Sequence, residues 1–185
     1  MHPLPSTFSV ASASMFPDLD VETAPEASRP ALRDAVQRFG AIPSPLARIA
    51  ASPLVLSSLD VLFDLWARTS LSPLEREVVV MTVARINGCA WCARMHVGIL
   101  HAMKADPALV SALRTGAPIQ DERLAALAAF TEAVMATRGE VDDAGGAAFA
   151  AAGYTAAQAL EVVLGVGVFT LTTYANRLTR APLPG

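Results

Sequence analysis

Cys89 and Cys92 are the only two cysteines of this chain, and His96 follows the second by four positions. On a helix, positions i, i+3 and i+7 share a stripe, so both sulfurs and the imidazole line one face. A pair this close is a poor staple, because loop-closure entropy grows with the length of the loop a bridge closes. It suits thiol–disulfide chemistry instead, in which one thiolate attacks and its neighbour resolves the product. Glu77 is the second unusual residue. It opens the run Val78-Val79-Val80-Met81-Thr82-Val83-Ala84, apolar on nearly every helical face. A carboxylate in such surroundings needs a partner. A tight turn at Gly88 would bring Glu77 to the Cys/His face, making a Glu–His–Cys proton relay geometrically feasible.

Each feature has a plainer reading. Glu77 also reads as a solvated first-turn acid beside Glu75, and spacing alone leans that way. His96 also reads as a satisfied core histidine, while His2 and His101 lack local chemistry and are read as incidental. Cys89, Cys92 and His96 with one outside ligand would make a zinc site, but the chain has no second Cys/His cluster to complete it. Redox chemistry is therefore preferred, and no metal or other cofactor is expected. Trp91, between the cysteines, reads as packing that excludes water.

Magnitudes bear on which sulfur is activated. Bringing a thiol from about 8.5 to about 6 takes roughly 3.4 kcal/mol. A helix N-terminus typically supplies only about 0.3–1 kcal/mol. A further partner is required, and His96 is the histidine placed to serve. Helix-end position favours Cys89 as the attacker, whereas proximity to His96 favours Cys92, and the second is the stronger argument.

The rest of the chain is consistent with a domain built to present this dithiol. At 185 residues it is long enough for one core, and 53% hydrophobic against 17% charged residues excludes disorder. That apolar share exceeds the usual globular one, which points to surface buried between subunits. A net charge of −3 without a basic run argues against nucleic acid. Residues 1–30 lack the basic n-region of a secretory signal, so a reducing cytoplasm is expected. The apolar stretch Val162–Tyr174 is shorter than the roughly 20 residues a membrane span needs, so a buried helix is expected and no membrane association.

Residues 1–27, rich in Pro, Ser and Ala, read as an extended arm able to wrap a neighbouring subunit. Residues 28–185 read as a single all-α domain. Ser28 is expected to cap a helix with Leu32, Val36 and Phe39 on one face, ending at Gly40. Ser52-Pro53 opens a second helix through Trp66, with Leu54, Ser58, Val61, Leu62 and Leu65 at helical spacing. Ser72-Pro73-Leu74-Glu75 is a capping box, and its helix should stop at Asn87-Gly88. Further helices are expected from the cysteines to about Lys104, from Asp106 to Gly116, from Asp121 to about Gly139 and from Asp142 to Ala152. A last one runs from the box Thr155–Gln158 to about Leu178. No segment carries strand alternation with turn chemistry.

The constellation Glu77…Cys89-Ala90-Trp91-Cys92-Ala93-Arg94-Met95-His96 resembles the carboxymuconolactone decarboxylase / alkylhydroperoxidase-D-like family, in its peroxidase-related branch. The family pattern is a glutamate, a C-x-x-C twelve residues on, and a histidine four past the second cysteine; all four positions match. Flanking segments such as Leu74–Val78, Val83–Gly88, Asp121–Leu127, Gly153-Tyr154-Thr155 and Asn176-Arg177 are similar too. The resemblance implies a helical bundle of about seven to eight helices, assembled as a trimer or hexamer. It implies a peroxiredoxin-type thiol peroxidase acting on hydrogen peroxide or alkyl hydroperoxides, with a dithiol electron donor and no cofactor. Cys92 would attack peroxide, Cys89 would capture the sulfenic acid as a disulfide, and His96 and Glu77 would relay protons. Members that serve a dedicated peroxiredoxin carry histidine where this chain has Trp91, which leaves the reductant open. Family decarboxylases lack the C-x-x-C. The competing reading from another class is a redox sensor or dithiol module whose oxidation changes assembly.

Overall fold

A computed structural model describes residues 15–183 of the chain. Among them are nine α-helices, one short 3-10 helix and no strand, so the fold is all-α. The helices are α1 (Arg29–Phe39), α2 (Ser44–Ile49), α3 (Pro53–Ala67), α4 (Pro73–Ile86) and α5 (Ala90–Ala102). They continue with α6 (Pro107–Thr115), α7 (Glu122–Thr137), α8 (Asp143–Ala151) and α9 (Ala156–Leu178). Eight follow the boundaries expected from caps and glycines. The addition is α2, whose six residues sit between Pro43 and Ser52, too short for a periodic pattern to register.

Local chemistry sets the ends. Ser72 accepts the Glu75 N–H while the Glu75 carboxylate accepts the Ser72 N–H, so both halves of the capping box of α4 are made. Thr155 and Gln158 do the same for α9. Asp106, Asp121 and Asp142 each cap the helix that follows. Ser28 differs: its hydroxyl donates to the Ala50 carbonyl at 2.8 Å instead of capping α1. A buried carbonyl without a helical partner took the hydroxyl away from the helix end.

The core is organised around α4. Every residue from Val78 to Ala84 is buried, as a helix apolar all round must be. It is enclosed by α5, α6, α7 and α9, with Leu100, Leu113, Leu127, Val162 and Phe169 among its neighbours. Trp66 of α3 reaches α9 at Gly165, where a β-carbon would lie 2.6 Å from its ring. A smaller core joins Leu32, Ile49, Leu56 and Leu59 to Leu19, Val21 and Ala24. Residues 1–14 of the expected arm lie outside the described residues. Beyond them the chain packs on its own α2, through Leu19 N–H to Ala47 O at 3.2 Å and an Asp18–Arg48 ion pair at 2.7 Å.

Two faces read from spacing are corrected. In α1, Leu32 and Ala35 are buried while Val36 and Phe39 are exposed. In α3, Leu56, Leu59 and Trp66 turn inward, whereas Leu54, Val61 and Leu65 are exposed. Both helices are apolar on more than one side, so spacing alone does not choose which side meets the core. The last helix is 23 residues and apolar enough to cross a membrane by length and composition. Its inner face, including Val162, Gly165, Val168 and Phe169, is buried against the bundle.

Candidate active site

The site forms at the junction of α4 and α5, and the junction is compact because one residue serves both helices. Gly88, in the left-handed region at φ 63°, donates its N–H to Arg85 O, and Cys89 donates its own to Ala84 O at 2.9 Å. This pair of bonds is a Schellman stop for α4. Cys89 is also the N-cap of α5: its sulfur accepts the Cys92 N–H at 3.3 Å, in the place a serine hydroxyl would take. The turn is clamped from α9. Arg177 donates to the Asn87 carbonyl, and Asn87 Nδ2 donates to Thr173 Oγ1 at 3.0 Å.

The four residues expected to act together fall into two pairs, Glu77 with His96 and Cys89 with Cys92. Glu77 Oε2 and His96 Nδ1 are 2.7 Å apart, with side chains only 12% and 7% exposed. The reading of Glu77 as a solvated acid is therefore corrected. It points inward, while Glu75, two residues earlier, takes the cap. With Nδ1 held by a carboxylate, Nε2 is the ring atom left for proton transfer. The imidazole packs edge-on to Phe169, 5.8 Å between centroids, so one wall of the site is apolar. Cys89 and Cys92 are both buried and reduced, and Trp91 packs over them and Ala84.

The sulfurs take their hydrogen bonds from elsewhere. Among the described residues none joins His96 to either cysteine. Asn176 of α9, itself buried, donates from Nδ2 to Cys92 Sγ at 3.2 Å and lies 4.0 Å from Cys89 Sγ. The Cys89 thiol is lowered to about 6, first by the Cys92 S–H it accepts, against burial, with help from the Cys92 and Trp91 N–H groups and Asn176. Cys92 is pushed strongly up by donating to Cys89, by burial and by the neighbouring charge. At rest the pair thus holds its charge on Cys89 and its proton on Cys92. The helix terminus alone is too weak for such a shift, as expected. The partner that completes it is the second cysteine with an amide, not the histidine. Asn176 was visible in the sequence only as part of a similar segment; nothing in its surroundings ties a position 84 residues away to Cys92.

Other features lie apart from the sulfurs. A concavity of about 810 Å³ bounded by Arg85, Glu132, Met135, Val166, Thr170 and Tyr174 includes neither cysteine. Among the described residues no three His, Cys, Asp or Glu side chains converge in a way that would hold a metal ion.

A bundle whose central helix hands a buried dithiol to the next helix, beside a glutamate–histidine pair, is an alkylhydroperoxidase-D-like fold. Residues 58–133 match the Carboxymuconolactone decarboxylase family. No curated protein matches the sequence. Among solved structures, the chain is similar to an alkylhydroperoxidase AhpD core, a peroxidase-related protein from Ralstonia eutropha JMP134. The identity is 20%, the coverage 91% of each chain and the TM-score 0.77. A peroxidase-related protein from Silicibacter sp. TM1040 is similar at 19% identity over 97% of this chain and 96% of that one, TM-score 0.76. The debrominase Bmp8, as a cysteine-to-alanine variant in complex with 2,3,4-tribromopyrrole, is similar at 17% identity over 94% of each chain, TM-score 0.72. At these identities the likeness is one of fold.

Proposed function

We propose that this protein is a thiol-dependent peroxidase that reduces hydrogen peroxide or small alkyl hydroperoxides through a Cys89/Cys92 dithiol–disulfide cycle. The observation that carries the reading is a sulfur pair with one thiol lowered to about 6, one helical turn from a buried Glu77–His96 pair. A thiolate at neutral pH and a proton carrier are the two things peroxide cleavage needs.

The charge at rest and the attack are assigned to different sulfurs. A proton passing from Cys92 to Cys89 along their hydrogen bond places the thiolate on Cys92, the sulfur that shares its helical face with His96. That thiolate is the less stabilised of the two and so the better nucleophile, since nucleophilicity falls as pKa falls. Cys92 sulfur attacks the terminal oxygen, the O–O bond breaks, and the leaving alkoxide takes a proton relayed through His96, which the dithiol donor replaces when the pair returns to one thiol and one thiolate. Cys92 is then a sulfenic acid. Cys89 sulfur attacks it, its S–H proton leaves with the hydroxyl as water, and a disulfide remains. A dithiol donor restores the pair by exchange, and the low pKa of Cys89 makes it the good leaving group when the donor attacks Cys92.

Steady-state peroxide consumption with excess dithiol tests the reading. Many equivalents per subunit support a peroxidase; arrest after one equivalent indicates a redox sensor and overturns it. Cys92→Ser is expected to abolish turnover, and Cys89→Ser to leave a sulfenic acid on Cys92 that dimedone traps. Sulfenic acid on Cys89 in the Cys92→Ser variant would reverse the roles.

We also propose that the protein works as a homo-oligomer, a trimer or hexamer. Leu54, Leu160 and Leu178 are more than two-thirds exposed and Tyr174 more than half, an apolar surface on α3 and α9 that a second copy would cover. Light scattering is expected to give a multiple of 19.3 kDa; a monomer at all concentrations would refute it.

A further inference from the structure

We propose that Asn176 is a catalytic residue of this site: its Nδ2 holds the Cys92 sulfur while its Oδ1 binds the O–H of the incoming hydroperoxide. The inference rests on the peroxidase reading and adds the residue that receives the substrate. Three observations carry it. Asn176 touches the reacting atom, with Nδ2 at 3.2 Å from Cys92 Sγ. The Cys92 S–H is given to Cys89, so toward the amide its sulfur can only accept; Nδ2 therefore faces sulfur, and Oδ1 is the amide atom that sulfur leaves unengaged. Oδ1 is buried, and it alone among the buried side-chain polar atoms of the described residues has no donor.

An orphaned buried acceptor is destabilising, and folded proteins keep few of them. Here it sits on the same planar carbon as the group that contacts the nucleophile. The position is held firmly. Arg177, next in sequence, is bound to the Asn87 carbonyl, and Arg48 donates to the Thr179 and Arg180 carbonyls at 2.6 and 2.7 Å. The backbone that carries the amide is therefore anchored by two arginines, and the Asn176 side chain itself holds nothing but sulfur.

The chemistry matches the two ends of the amide. An alkyl hydroperoxide has one O–H donor, on the terminal oxygen that sulfur attacks, and hydrogen peroxide carries the same O–H there with a second on the leaving oxygen. Oδ1 accepting that O–H would place the oxygen beside Cys92. As the S–O bond forms and the O–O bond breaks, the same hydrogen remains on the transferred oxygen. It becomes the O–H of the sulfenic acid, so Oδ1 keeps its partner through the step. Nδ2 meanwhile supports the thiolate before attack.

The test is Asn176→Leu, which keeps the branched shape and removes both heteroatoms, with Asn176→Ala as a second variant should the bulkier leucine not fit. Three quantities are measured on the full chain: alkylation rate against pH, the rate of hydrogen-peroxide-driven sulfenic acid formation, and the thermal midpoint. Alkylation is expected to move to higher pH from about 6. Sulfenic acid formation should slow roughly 10–100-fold, the scale of one hydrogen bond to a charged group. The thermal midpoint should stay level or rise, because a buried orphan has been removed. A peroxide rate and alkylation profile equal to the parent overturn the proposal, as does a slower rate accompanied by a large fall in stability. If the parent protein is itself inert to peroxide, the peroxidase reading fails and the Oδ1 assignment with it. A live parent with an unaffected variant sinks the Asn176 assignment alone.

Discussion

Two glutamates stand two residues apart on α4, both largely buried, and they do opposite things. Glu75 is saturated. Its Oε2 accepts the Ser72 N–H at 2.7 Å and its Oε1 accepts Arg123 at 3.1 Å. Arg123 in turn lies over the Tyr154 ring at 3.9 Å and donates to the Ala152 carbonyl at 2.9 Å, tying α4 to α7 and α8. Burial alone would raise the Glu75 carboxyl, but the bonds from Ser72, Tyr154 and Arg123 outweigh it and hold it below the usual range. Glu77 is spare by comparison. Among the described residues its one hydrogen-bond partner is His96. A carboxylate bound to a helix end and an arginine is fixed in one protonation state, which suits a strut. A carboxylate whose partner is an imidazole is the arrangement that the proposed proton relay needs.

The sharpest way to break this contrast is to neutralise each acid in turn. Glu77→Gln is expected to slow sulfenic acid formation by about 100-fold, within the range that general acid–base groups contribute. Stability should change little. Glu75→Gln is expected to leave the peroxide rate within a few-fold of the parent and to lower unfolding stability by about 1–3 kcal/mol, the cost of weakening a buried charged hydrogen-bond set. Urea unfolding and single-turnover peroxide assays on both variants read the two quantities. Loss of activity in Glu75→Gln equal to that in Glu77→Gln would erase the distinction.

The packing behind the site supplies a second comparison, of structure with chemistry. Gly165→Ala would set a β-carbon 2.6 Å from the Trp66 ring and 3.1 Å from Val79. Overpacking of this kind costs about 1–3 kcal/mol, and chemical denaturation should show it. Ser72→Ala removes one arm of the capping box and should cost about 1 kcal/mol, with the peroxide rate unchanged.

The sulfur pair also gives stability a pH signature. Cys89 ionises at about 6 when folded and near the ordinary thiol value of 9.0 when unfolded. Between those values the unfolded chain holds the extra proton, so stability rises with pH. The Cys89 contribution is complete above 9 and is lost as pH falls through about 6. Cys92 is shifted the other way, so above 9 the unfolded chain ionises where the native one does not, and stability falls. Denaturation midpoints across pH 5–11 should show a maximum near 9, and Cys89→Ser should remove the rise on the acid side.

Much of this molecule was legible before folding. Caps and stops marked eight of nine helices because Ser72, Asp106, Asp121, Asp142 and Thr155 satisfy helix ends with atoms only one to three residues away. The uniform apolarity of Val78–Ala84 marked the central helix for the same reason: it holds whatever packs around it. The residues of the candidate site were legible through the spacing of Glu77, Cys89, Cys92 and His96. Which of two neighbouring glutamates turned inward was not, since a first-turn acid satisfies the same local rules in either direction.

The sequence alone settled the helices, their ends and the pairs Glu77–His96 and Cys89–Cys92, because those depend on contacts within one or two turns or on spacing across a single tight turn. Tertiary structure decided the rest. It chose the buried faces of α1 and α3, left the charge of the dithiol on Cys89, and brought Asn176 from the far end of the chain to the sulfurs. Those outcomes depend on groups distant in sequence competing for the same hydrogen bonds and the same buried space, and no local pattern records the result of that competition.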